Sequence, residues 1–311
     1  MDGDAVNKLP PQQVRQGLWL GVVGVVIFAL TLPLTRIAVG TAEAPQMSGV
    51  FVATGRAVVA ALLSLPFLWL TRAPMPRRED LLPLAMVALG VVFGFPLFTS
   101  IAMRHVQAVH ASVMLGVLPL ATAVVGAYLH RQRPSIGFWC CAFFGTALVV
   151  SFAMLRSGQS GLYPQSADLL LLAAMACAAI GYGWGARLSG AMRAEHVISW
   201  ALLLTLPINL PLALAQWPQV AIQPMAWGAF AYVAVFSMWL GFFAWYRALA
   251  LGGTVRVSQV QLIQPFLSML FAVPLLGESL DATTVGFGLA VMVTVFVGRR
   301  MPVSTVSESK S

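Results

Sequence analysis

From Gly17 onward the chain is a succession of apolar runs separated by short polar breaks. A helix rising ~1.5 Å per residue needs roughly 20 apolar residues to cross the hydrocarbon of a bilayer. The runs therefore predict ten transmembrane helices, at 17–39, 48–70, 81–101, 109–129, 136–154, 169–188, 197–217, 225–248, 257–276 and 283–297. The first run is longer than a signal-peptide core, and no small-residue cleavage site follows before Glu43, so it reads as a retained span.

Composition narrows the class to this one. The 311 residues are 59% hydrophobic and only 9% charged, with mean hydropathy +0.86. A soluble domain carries about 25% charged residues, and a disordered chain is poor in apolar ones. A membrane β-barrel would show short strands alternating apolar and polar positions, which the unbroken runs exclude. The fold class expected is an all-α polytopic membrane protein.

Charge then orients the helices. With the N-terminus in the cytoplasm, the inward segments hold 14 of the 18 basic residues, from Lys8 and Arg15 to Arg299, Arg300 and Lys310. The outward edges hold three, Arg36, Arg104 and Arg156, and Arg56 lies within a span. This is a positive-inside distribution, and it favours an even span count with both termini cytoplasmic. The net charge of +8 thus reports topology and not a nucleic-acid partner. Eight of the nine tryptophans fall near span ends, as interfacial rings do, and Trp239 alone falls near mid-span. Cys140, Cys141 and Cys177 sit in apolar runs and suggest neither a disulfide nor a metal site.

Shifting the sequence by 146 aligns its halves weakly: Val109 with Val255, Ser112 with Ser258, Pro119 with Pro265, and Leu129 with Leu275. Each copy holds five spans, an odd number, so successive copies insert in opposite orientations. Inverted repeats are a hallmark of secondary transporters, whose site lies near the midplane between the halves. The expected organisation is a tail at 1–16, a first five-helix repeat at 17–154, an extracytoplasmic linker at 155–167, a second repeat at 168–299 and a tail at 300–311.

Several motifs carry a family resemblance. They are Phe28-Ala29-Leu30-Thr31-Leu32-Pro33, Gly55-Arg56, Ala111-Ser112 through Leu118-Pro119, and Val257-Ser258 through Gln264-Pro265 to Gly277-Glu278. Together they resemble the EamA-type transporters of the drug/metabolite transporter superfamily over residues 17–299. Glu278 keeps the family's spacing of 13 positions after the span proline, whereas the first half has Gln132 there. The resemblance implies two inverted five-helix repeats around a central cavity, and export of amino acids or related metabolites from a bacterial inner membrane.

Among candidate residues, Arg56 comes first, because an ionisable group inside a span is a functional hypothesis by default. It would bind a substrate carboxylate or act in gating; the competing reading is snorkelling or bonding to carbonyls. Gln261, Gln264 and Ser268 share one face of the ninth span beside Pro265, which removes a backbone donor and frees a carbonyl. They would line a wet cavity or bond helices together. The equivalent first-half positions are Leu115 and Leu118, so such a cavity would be polar on one wall and apolar on the other. Thr31 and Thr35 around Pro33, Asn209 between Pro207 and Pro211, Tyr182 and Trp239 are further candidates for substrate contact. Pro33, Pro96, Pro119 and Pro265 are candidate gating points. Glu278, His110 and His130 lie at span ends and read as interfacial charges.

No phosphate loop, metal-ligand pair or nucleophile elbow is present in the sequence. No catalytic residue, cofactor or metal is expected. The expected partners are a small-molecule substrate and the lipid bilayer, with the oligomeric state unset. The leading reading is a secondary exporter working by alternating access. The alternatives are a drug or nucleobase exporter, or a lipid-handling or scaffold protein that moves no solute.

Overall fold

The computed structural model describes residues 11–129, 132–160, 165–252, 257, 260–300 and 303–305. His130, Ser258 and the two extreme tails lie outside them. Segments 1 to 10 below follow the order of the expected spans. Among the described residues, seven helices are long and apolar enough to cross a membrane: Arg15–Val39, Gly49–Leu70, Arg78–Ala102, Ala108–Gly126, Ser166–Leu188, Ala194–Ala215 and Pro224–Leu251. Three shorter apolar helices, Ile136–Phe152, Val260–Leu276 and Ala282–Val297, occupy the fifth, ninth and tenth positions. The chain is thus an all-α polytopic membrane protein, apart from a three-residue antiparallel pairing of Gln132–Pro134 with Val303–Thr305.

Helix boundaries differ from the expected ones by a few residues, most at two places. The first helix starts at Pro11, inside the stretch read as a tail, because proline is pre-organised for a helix's first position. The fifth continues to Ser160, running through Gly158 and shortening the expected linker. The second helix starts as its sequence suggests: the Ser48 hydroxyl accepts from the Phe51 amide at 3.0 Å.

Irregularities in the helices recur at matching places. Segment 1 is Pro11–Ala29 then Thr31–Val39, segment 4 is Ala108–Leu115 then Leu118–Leu129, and segment 9 is a 3₁₀ turn, Val260–Ile263, then Gln264–Leu276. The cause is the same in each. Pro33, Pro119 and Pro265 lack an N–H and crowd the carbonyl four residues back, at Ala29, Leu115 and Gln261. Segments 3 and 8 each contain a π-helical stretch, Ala88–Gly94 and Val233–Leu240. Pro96 follows the first of these, and the glycines before it serve close packing. A Cβ on Gly90 would lie 2.5 Å from the Cys177 carbonyl oxygen of segment 6.

The principal packing pairs are segments 1 with 8, 3 with 6, 2 with 7, 4 with 6, 1 with 9 and 5 with 10. Exchanging segments 1–5 with 6–10 maps this set of pairs onto itself. The breaks in 4 and 9 and the π stretches in 3 and 8 exchange in the same way.

Candidate functional site

All five irregular segments meet at one buried chamber. It is lined by Phe28, Thr31 and Leu32 of segment 1, Val91 and Phe95 of segment 3, Leu115 and Leu118 of segment 4, Ser237 and Phe242 of segment 8, and Gln264 of segment 9. Two regular helices complete it with Arg56 and Tyr182. The free space is about 10 Å³, room for about one water molecule. A metabolite therefore enters only if the walls separate.

Arg56 dominates the chamber's chemistry. It is 1% exposed, and its Nη2 donates to the Ser237 hydroxyl at 3.4 Å. That hydroxyl also shares a 2.8 Å hydrogen bond with Thr31. Arg56 Nε and Nη1 have no hydrogen-bond partner among the described residues, and neither does Gln264 Oε1. Among the described residues no aspartate or glutamate lines the chamber. A charge at the bilayer centre costs about 2.5–3.5 kcal/mol on insertion scales, and none of these lining side chains offers a countercharge. The site offers several unspent N–H donors, one unspent amide acceptor and aromatic faces from Phe28, Phe242 and Tyr182. That arrangement fits a small molecule with an anionic group and a hydrogen-bond donor beside an apolar body.

The candidate residues divide between the chamber and its surroundings. Arg56, Thr31, Gln264 and Tyr182 line it, and Leu115 and Leu118 form its apolar wall opposite Gln264. Gln261, Ser268, Thr35 and Asn209 are buried with side-chain polar atoms that lack hydrogen-bond partners, yet they do not line it. Trp239 packs instead against Phe67 and Phe243. Ser237 is the chamber-lining polar residue missed from the sequence. Its signal was a hydroxyl isolated in the apolar run Tyr232–Tyr246.

A second, larger cavity of about 520 Å³ opens at one end of the bundle. Arg36, Gln46, Gln107, Gln223 and the turn Leu275–Ser279 line it. We call this end the mouth. Segments 1 and 9 run from chamber to mouth, and Thr35 and Ser268 fall between, one turn beyond Thr31 and Gln264. The mouth is held by polar contacts. Arg36 donates to the Met103 carbonyl, and Arg104 to the carbonyls of Val39 at 3.1 Å and Met47 at 2.5 Å. Glu278 is no solvated helix-end charge: its carboxylate accepts from the amides of Ala108 at 2.8 Å and Val109 at 2.7 Å. Nor is His110 a lone interfacial residue, because its Nε2 lies 2.7 Å from Asp168 Oδ1. Burial pushes the Glu278 carboxyl up from its ordinary value, while the two amides, Arg36 and His110 pull it down. Burial lowers the Arg104 guanidinium.

Comparison with known proteins agrees with this architecture. The model of the EamA-like transporter family matches residues 15–154 and 165–298. An uncharacterized transporter, YdeK of Bacillus subtilis (strain 168), is 41% identical over 287 residues, covering 91% of this chain and 96% of its own. The inner membrane protein YtfF of Escherichia coli (strain K12) is 25% identical, covering 92% of this chain and 98% of its own. One solved crystal structure shares the fold with a TM-score of 0.63 at 15% identity, covering 91% of this chain and 96% of that one.

Proposed function

The chain belongs to the EamA-like transporter family and is a membrane transporter of the drug/metabolite type; from that premise we propose that it exports amino acids or related small metabolites by alternating access around the Arg56 chamber. The observation that carries the reading is the buried guanidinium with two unpartnered nitrogens in a chamber free of carboxylates. Removing one partner of a buried charge pair costs roughly 3–5 kcal/mol. An unpaired buried cation is therefore a standing cost unless a ligand completes it. A substrate carboxylate supplies the acceptor, and Gln264 Oε1, Thr31 and Ser237 supply acceptors for its amine.

Two inverted five-helix repeats supply the motion. The packing pairs that exchange onto themselves support this reading, as do the two stretches that the family model matches. Helix breaks at a midplane site are a recurrent transporter device, and Pro33, Pro119 and Pro265 place three of them at the chamber wall. In this scheme they are its flexing points, with Pro96 at the end of a π stretch as a fourth. The inner membrane is the proposed location, with both termini cytoplasmic and the mouth extracytoplasmic. The basic residues support that orientation, and so does the pairing of Val303–Thr305 with Gln132–Pro134, a loop on the expected cytoplasmic side.

The test is function in cells and in vesicles. Overexpression is expected to raise resistance to inhibitory amino-acid analogues. Purified protein in liposomes is expected to exchange labelled amino acid with an internal pool. Liposomes that exchange no solute but scramble labelled lipid would instead establish the lipid-handling alternative.

A further inference from the structure

The mouth holds a group of titratable side chains that the chamber chemistry does not use. Two acids of the second half converge on the first turn of segment 4. Glu278, from the turn between segments 9 and 10, takes the Ala108 and Val109 amides. Asp168, at the start of segment 6, takes His110, the next residue along. His110 and Asp168 are buried, at 4% and 10% side-chain exposure. The surroundings contribute few other charges. Arg36 of segment 1 acts on Glu278 electrostatically, as does His110. Phe152 of segment 5 stacks on the His110 ring at 5.1 Å. Asp281, at the entry to segment 10, is turned to the Thr284 amide at 2.6 Å.

Glu278 is also placed where the mouth must flex. It follows Gly277, whose φ of +67° ends segment 9 in the left-handed region. The same turn lines the 520 Å³ vestibule together with Arg36. Separating the halves at this end pulls Glu278 off the segment 4 amides and into water. The opposite end lacks the equivalent group. Under the 146-residue offset Glu278 corresponds to Gln132 and His110 to Arg256, so the carboxylate is replaced by an amide that does not titrate.

We infer that Glu278 is the transporter's proton-binding group, held between the halves with the His110–Asp168 pair beside it, and that proton uptake there closes the mouth. Its direction of action follows from burial. The closed mouth raises the Glu278 carboxyl, whereas the open mouth returns it to its ordinary value. A proton bound more tightly by the closed form favours closure. The preference is full below the ordinary carboxylate value and fades as pH rises through the raised one. Acid on the mouth side therefore shuts an emptied transporter, which is the step that returns an exporter to loading. The proton site rests on the mouth's geometry and on the burial of Glu278 there, independently of any substrate. Only its place in the export cycle rests on the proposed function.

Paired spin labels at Ala44→Cys and Ser279→Cys test it in the full-length protein in lipid nanodiscs, with Cys140, Cys141 and Cys177 replaced. Both positions are exposed on the vestibule wall. No substrate is needed, so failure here is separable from failure of the exporter assignment. In the wild-type background the long-distance population is expected to grow as pH rises from about 4, below the ordinary carboxylate value, to about 9, by about tenfold for each unit separating the two pKa values. Glu278→Gln is expected to hold one distribution throughout. His110→Gln, which keeps Glu278, is expected to move the midpoint. A wild-type distribution that ignores pH overturns the inference, as does a Glu278→Gln variant that titrates like the wild type. If Glu278→Gln does not fold, an unmoved midpoint in His110→Gln is decisive against it.

Discussion

The chamber and the mouth use buried charge in opposite ways. At the mouth each charged group has close partners: Glu278 holds two amides, Asp168 holds His110, and Arg36 and Arg104 hold carbonyls, with Arg104 Nε left without a partner among the described residues. In the chamber Arg56 has one long hydrogen bond and two unpartnered nitrogens. Fully satisfied polar networks rigidify a structure, and partly satisfied ones cost stability. The mouth thus reads as a latch that completes itself, and the chamber as a site awaiting a ligand. The same residue types therefore carry different predictions according to where they sit.

The sharpest way to break this contrast is to remove each charge and compare activity with stability. Arg56→Met keeps the length and deletes the charge. Transport is expected to fall by ~100-fold or more, the scale of a lost buried charge pair, while the melting temperature of the empty protein stays level or rises. A drop in melting temperature would make Arg56 a structural residue. Glu278→Ala is expected to do the opposite to stability. It strands two amides at a helix start, at about 1.5–3 kcal/mol, so thermal unfolding should occur several degrees earlier. Ser237→Ala removes the hydroxyl between Arg56 and Thr31, worth about 1 kcal/mol, and is expected to weaken substrate affinity about fivefold. Gly277→Ala meets no neighbouring atom within 4 Å, so only backbone strain acts, at about 1–2 kcal/mol. Gln261→Leu changes a group outside the chamber lining and is expected to leave transport within about twofold, since a buried polar group without a partner contributes little. A large transport defect in that variant would move the chamber's boundary one turn along segment 9.

Much of this was legible in the sequence, for physical reasons that differ by level. Helix positions follow from apolar runs matched to bilayer thickness: at seven of the ten expected runs the described helices are of membrane-crossing length, and at the other three they are shorter apolar helices. Arg56 was legible because one cation in an apolar run is conspicuous. The 146-residue offset sets Gln264 against Leu118, and these two do face one chamber, whereas Gln261, set against Leu115, does not line it. Ser237 was not, because serine occurs in helices without function and only the fold brings it 3.4 Å from Arg56. The roles of Glu278 and His110 were hidden for a related reason. Their partners Ala108, Val109 and Asp168 lie 58 to 170 positions away, and no local pattern encodes such pairs. Gln261 and Ser268 share a helical face with Gln264, yet only Gln264 lines the chamber.

The central claim is that Arg56 completes itself with a substrate's anionic group. It is tested most directly by thermal unfolding of the purified wild type and Arg56→Met against amino acids paired with their primary amides. A ligand at 100 times its Kd adds about 2.7 kcal/mol to the folded state, a readable rise in melting temperature. The account predicts that at least one free carboxylate raises the wild-type melting temperature, that its amide does not, and that neither acts on Arg56→Met. Equal stabilisation by acid and amide, or stabilisation that survives in Arg56→Met, would contradict it.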